Sequence, residues 1–327
     1  MDGMTKAGCP WNRTLESLGN SVELQHVNLR VPDQRLATAF YISALGLTRD
    51  PFLVTGVENM WANIGVSQFH LPTGPAQVLR GTVGLVLPDR AQLLHRLHQA
   101  RRWLDGTAYS FEEHGDHVAV TCPWGNRLRC HAPDPARFGR IVLGMSYVEF
   151  DVPPGSLPGI LRFYREIVAA PAGQEGDVAK VLVAPRQYLT FRETEASLPP
   201  YDGHHIQLAF VDFGGVHARL AERGLVSRED SQHQYRFVRI VDPEDGRLLF
   251  EVEHECRSMT HPLFMRRLVN RNPAVTNTVY APGAEELAWA MPPELAATRR
   301  SAPTAPPPRG SACASPPGRS SGNPRRR

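Results

Sequence analysis

"HVNLRVPD", residues 26–33, alternates apolar and polar side chains: Val27, Leu29 and Val31 share one parity, His26, Asn28 and Arg30 the other. Successive side chains of a strand point to opposite faces, so the octet predicts a strand with one apolar and one polar face. Taken alone, it leaves His26 open as a ligand, a general base or a solvated residue. The octet recurs without a gap as "TVGLVLPD" (82–89), "YVEFDVPP" (147–154) and "HIQLAFVD" (205–212). Its second, fourth and sixth positions are apolar each time, and the starts lie 56, 65 and 58 residues apart.

The stretch after each octet repeats as well. "DQRLATAFYISALGL", "DRAQLLHRLHQARRWL", "PGSLPGILRFYREIV" and "FGGVHARLAERGL" carry helical periodicity, with Gly46 and Gly224 where helices should stop. Asp33, Asp89 and Asp212 stand where an N-cap belongs. Strand-like segments then close on turn residues and a last strand, as in "IGVSQFHLPTG", "CPWGNRLRCHAP", "VAPRQYLTFRE" and "VDPEDGRLLFEVEHE". The unit is β-α-β-β-β, about sixty residues long, present four times.

At 327 residues, 42% hydrophobic and 21% charged, the composition is that of a globular protein with ample core. No apolar run reaches the roughly 18–20 residues of a membrane span. The first twenty residues hold no charged segment followed by an apolar one, so no secretory signal is expected. Cys9, Cys122, Cys130, Cys256 and Cys313 are odd in number and lack C-x-x-C spacing. That argues against a disulfide framework or a structural zinc site and fits a reducing, cytoplasmic setting. Seven arginines and no acidic residue come after Leu295, against a net charge of only +3 for the chain. This Pro/Ser/Arg tail cannot bury enough apolar surface to fold, and no aromatic residue interleaves its arginines, so neither a nucleic-acid partner nor a membrane is expected.

These repeats and endings resemble the vicinal oxygen chelate superfamily, which includes glyoxalase I, extradiol dioxygenases and bleomycin-resistance proteins. The resemblance covers residues 22–256. "DPEDGRLLFEVEHE" is similar to the family's D-P-x-G-x-x-x-E ending, with Asp245 as an extra residue before Gly246, and "PWGNRLRC" is similar without the acidic residue. The resemblance implies an α+β fold of four tandem modules forming two curved open β-barrels with helices outside. It also implies that metal ligands come from the head of strand one and the middle of strand four of each module. Carried over, those positions are His26, Thr82, Tyr147 and His205, then His70, Arg129, Thr190 and Glu251.

Modules one and four thus offer His26, His70, His205 and Glu251, whereas modules two and three offer no full set. Three imidazoles and a carboxylate suit a divalent transition metal (Zn, Fe, Mn, Ni or Co) better than Ca²⁺ or Mg²⁺. A single complete site requires modules to pair one with four and two with three. Each residue keeps an alternative: His204 beside His205 as ligand, His70 as a loop-end histidine, Glu251 as part of an acidic strip with Glu253 and Glu255. In the second barrel Arg129, Tyr147 and Glu149 face inward, to hold a small anion or aromatic ligand or to fill a vacated metal site with an ion pair.

The expected organisation is a flexible 1–20, modules one and two over 21–134, modules three and four over 143–256, a packed extension over 257–295 and a disordered tail over 296–327. The expected function is a glyoxalase-like metal-dependent lyase or isomerase acting on a small substrate with vicinal oxygens. Glu251 would act as ligand and base, and Arg30 would bind a substrate carboxylate. An Fe(II) ring-cleaving dioxygenase and a binding protein without turnover are the alternatives, since fold does not fix function.

Overall fold

The computed structural model describes residues 13–51 and 58–268. The expectations for residues 1–12, for the tail and for most of the extension lie outside these residues. Module one supplies β1 (Ser21–Asn28), α1 (Gln34–Ala37), β2 (Thr48–Arg49), β3 (Asn59–Ile64) and β4 (Ser67–Pro72). Module two supplies β5 (Gly81–Val86), α2 (Arg90–Leu104), β6 (Ser110–Glu113), β7 (Val118–Thr121) and β8 (Arg127–His131), then the short α3 (Pro135–Phe138). Module three adds β9 (Gly144–Val152), α4 (Leu157–Phe163), β10 (Ala172–Glu175), β11 (Val178–Ala184) and β12 (Gln187–Glu193). Module four closes with β13 (His205–Phe210), α5 (Phe213–Ala221), β14 (Val226–Ser231), β15 (Gln234–Val241) and β16 (Leu248–Ser258).

The octets form the first strands as their alternation requires. All twelve apolar octet positions are buried, from Val27 to Phe210. The three aspartates cap the helices next in the chain: Asp33 accepts from the Arg35 and Leu36 N–H groups, Asp89 from Gln92 and Asp212 from Gly215. Helices α1 and α4 run on into wider turns over Thr38–Ala44 and Tyr164–Val168, which bury Phe40, Tyr41 and Ile167.

Two eight-stranded sheets result, in the orders β14-β15-β16-β13-β1-β4-β3-β2 and β10-β11-β12-β9-β5-β8-β7-β6. Modules four and one therefore share one sheet, modules three and two the other. Within each module the first strand lies parallel to the fourth. Between modules the two first strands pair antiparallel, β1 with β13 and β5 with β9. The sheets are open, with β14 and β2 at the edges of one and β10 and β6 at the edges of the other.

The second seam is made by close backbone approach: a Cβ on Gly81 would lie 1.8 Å from the Glu149 carbonyl oxygen, and one on Gly84 would lie 2.1 Å from the Tyr147 ring. Cys122, Cys130 and Cys256 are buried free thiols. Among the described residues, no helix is long and apolar enough to cross a membrane.

Candidate metal centre

His26 on β1, His70 on β4 and His205 at the head of β13 each offer a ring nitrogen, and the three nitrogens lie within 4.8 Å of one another. Three neighbouring strands of one sheet bring them together. The ring centroids of His26 lie 5.7 Å from His70 and 5.5 Å from His205. His204, the alternative to His205, turns away: its Nδ1 lies 2.6 Å from Asp202 Oδ1, outside the cluster.

Among the described residues the Nε2 atoms of His26, His70 and His205 are all buried without a hydrogen-bond partner. Buried polar groups left unpaired are costly, and three converging ring nitrogens suit a partner that accepts lone pairs. Their other ring nitrogens are engaged. His26 Nδ1 lies 3.3 Å from Gln25 Oε1, and His205 Nδ1 lies 3.4 Å from Glu253 Oε1. His70 Nδ1 lies 2.7 Å from Asn28 Nδ2, and turning the amide over makes it an acceptor for Nδ1–H. Partners of this kind fix the tautomer that leaves Nε2 free for a metal.

Burial pushes the His26 imidazole well below its ordinary value and that of His70 to about 3, so both are neutral near pH 7. Trp61 stacks on His70 at 3.8 Å and meets His26 edge-on at 5.0 Å, walling one side of the cluster with an apolar surface. Oriented imidazoles whose Nε2 atoms converge beside this apolar wall fit a divalent transition ion.

Glu251 does not join them. In module one His26 pairs with Gln68 and the ligand His70 lies two residues further on. In module four His205 pairs with Glu253, so the position equivalent to His70 is Glu255. Glu251 lies four residues back along β16, roughly 13 Å away, opposite Arg239 of β15, and its carbonyl accepts from Arg80. Three residues in from its first residue, β4 has His70 and β16 has Glu251, and Glu251 shares its parity with Glu255. Only the register of β16 against β13 leads to Glu255.

Glu255 Oε2 lies 3.5 Å from His205 Nε2. Burial alone would raise its carboxyl, but Arg257, His205 and Arg236 hold it well below the usual carboxylate range. Arg257 meets Oε1 at 2.6 Å and Arg236 meets Oε2 at 2.5 Å.

Arg30 stands four residues beyond His26, again roughly 13 Å along the strand. Its guanidinium donates to the Asp202 carbonyl at 3.3 Å, and its buried Nε has no hydrogen-bond partner among the described residues. The described start of the extension packs on this same sheet. Gln25 Nε2 donates to the Leu263 carbonyl at 2.8 Å and the Met265 N–H donates to Glu23 Oε1 at 3.2 Å, while Arg266 forms a buried ion pair with Asp50. Burial pushes the Glu23 carboxyl up to about 7, and Glu23 lines a cavity of about 510 Å³ together with Gln25 and Arg266.

Asp116, His117 and His131 form a second cluster, with donors within 4.8 Å of one another. It fits a metal poorly. Arg137 already occupies Asp116 at 3.2 Å, and both His131 nitrogens are engaged, by the Asp116 carbonyl at 3.2 Å and the Tyr147 hydroxyl at 2.9 Å. Arg129, Tyr147 and Thr190 fall at the ligand positions of the second sheet, as the same strand offsets give.

The fold so defined is that of the vicinal oxygen chelate proteins. A presumed dioxygenase of Bacillus subtilis superposes with a TM-score of 0.50 at 15% identity, covering 74% of this chain and 86% of that one. Glyoxalase I from Zea mays superposes with a TM-score of 0.50 at 13% identity, over 74% of this chain and 94% of that one. No protein-family model and no curated protein sequence matches the chain.

Proposed function

We propose that this protein is a glyoxalase-like metal-dependent lyase or isomerase acting on a small substrate with vicinal oxygens. The observation that carries the proposal is the convergence of three buried, unpartnered Nε2 atoms from His26, His70 and His205. A bound divalent transition ion supplies Lewis acidity at the substrate's oxygens and acidifies the adjacent C–H. The three imidazoles hold it, and Gln25, Glu253 and Asn28 orient them.

Glu255, ionised and held by two arginines, balances the charge beside His205 and takes the ligand place that the turn motif assigns to Glu251. A carboxylate held so acidic is a weak base, so Glu255 serves to hold negative charge beside His205 rather than to take the substrate's proton. Arg30, with its free Nε, meets the far end of a substrate carrying a carboxylate.

The test is proton exchange in D₂O. Metal-loaded protein should exchange the C–H protons of hydroxyacetone, read by proton NMR, and His26→Ala should not.

One observation favours a second reading. With Glu255 occupied by Arg236 and Arg257, three protein ligands leave room for substrate and oxygen together, as an Fe(II) ring-cleaving dioxygenase needs. Oxygen uptake with catechol, in place of exchange with hydroxyacetone, would select it.

A further inference from the structure

The second sheet carries the same strand positions with different chemistry. By strand offset, Thr82 and Arg129 stand where module one has His26 and His70, and Tyr147 and Thr190 where module four has His205 and Glu255. Lone-pair donors are thus replaced by groups rich in N–H and O–H. The salt bridge between Arg129 and Glu149, at 2.9 Å, does not fill the space. A cavity of about 510 Å³ remains, lined by β8, α3, β9, β11 and β12, a size that suits a small ligand.

We propose that this hollow is a second, metal-independent binding site, for a small aromatic carboxylate. Charge gives the sign of the ligand. Arg129, Arg137, Lys180, Arg186 and Arg192 line the cavity against Glu149, Glu175 and Asp177. Each of these cations but one has an acidic neighbour: Arg129 and Arg192 share Glu149, Lys180 meets Glu175 at 3.1 Å and Arg137 meets Asp116. Arg186 makes no ion pair among the described residues, so it is the cation free to receive an anion.

Its backbone adds an independent observation. Arg186 comes after Pro185 in the turn between β11 and β12 with φ of 62°, the left-handed region that glycine fills without strain. A large residue adopts that conformation at a cost, which a glycine there would relieve.

Polar groups and rings complete the recognition. Thr190 Oγ1 is buried with no hydrogen-bond partner among the described residues. Burial pushes His131 down to about 4, so the ring is neutral; its Nδ1–H donates to the Asp116 carbonyl and its Nε2 accepts from the Tyr147 hydroxyl. The Tyr147 oxygen is left facing Arg129 as an acceptor and aims that guanidinium. A guanidinium fork matches a planar carboxylate, and the rings of Phe138, Tyr147 and Tyr188 also line the cavity, with Arg137 over Phe138 at 5.0 Å and Lys180 over Tyr188 at 4.3 Å.

Titration calorimetry of the full chain with benzoate as probe, and acetate as control, tests this. Wild type should bind one benzoate per chain and bind acetate more weakly. Arg186→Gly removes the free cation and relieves the left-handed backbone, so lost binding cannot be blamed on misfolding. It should bind benzoate about tenfold more weakly or worse, about 1.4 kcal/mol, with a thermal midpoint no lower than that of wild type. His26→Ala should bind benzoate as wild type does. The proposal is overturned if benzoate shows no saturable binding up to about 10 mM, an affinity worth under about 3 kcal/mol. It is overturned equally if acetate binds as tightly as benzoate, if Arg186→Gly binds as tightly as wild type, or if His26→Ala abolishes binding.

Discussion

His205 stands directly opposite Asn28 where the first strand of module four pairs antiparallel with the first strand of module one. Asn28 in turn contacts the Nδ1 of His70. One seam between the two ends of the fold therefore places two histidines and orients a third. A change in pairing partner would dismantle the site while leaving each module's own strands intact.

If Glu255 and not Glu251 belongs to the centre, their amides should behave differently. Glu255→Gln is expected to weaken zinc affinity about tenfold or more, as loss of a group supporting a ligand does. Glu251→Gln should stay within about twofold of wild type. Competition with a chromophoric chelator measures both, and the reverse order would restore Glu251 as the ligand.

Stability of the metal-free protein should fall in mild acid. His254 is buried against the Tyr164 hydroxyl at 2.7 Å, and burial pushes it from 6.5 to about 3. The folded value lies below the unfolded one, so the unfolded chain takes the proton first. This contribution is complete above about pH 6.5 and declines as pH falls towards 3, by about 2 kcal/mol between pH 7 and 5. His26 and His70 act in the same direction. Urea midpoints at the two pH values check it, and His254→Leu should make the dependence shallower.

Arg266 and Asp50 are almost wholly buried together, and Gln68 donates to the same carboxylate at 2.5 Å. Arg266→Ala should cost about 3–5 kcal/mol, because it strands a charge in the interior. Adding Asp50→Asn should recover part of that loss, so chemical denaturation of the double variant should show it more stable than Arg266→Ala alone.

Gly81→Ala should damage the seam between modules two and three. The new methyl would meet the Glu149 carbonyl, which is backbone and cannot swing aside. A cost of about 3 kcal/mol is expected, read as a lower thermal midpoint. Gly173→Ala, where a Cβ meets nothing within 4 Å and the backbone is not left-handed, serves as the control.

Local pattern determined much of this protein. The alternation in four octets placed every first strand and its buried face, and three aspartates marked helix starts, because both depend on neighbours in sequence. Unequal ligand chemistry among modules pointed to the pairing of one with four, since no other pairing assembles His26, His70 and His205. Parity could not tell Glu251 from Glu255, because residues four apart on a strand share a face. Only the hydrogen-bonded register of β13 against β16 made that choice. Nor could sequence show that Arg129 and Glu149 leave a hollow beside them, or that Arg186 lines it with no acidic partner among the described residues. Volume and charge pairing belong to side chains from strands far apart in the chain, and the tertiary structure alone decided them.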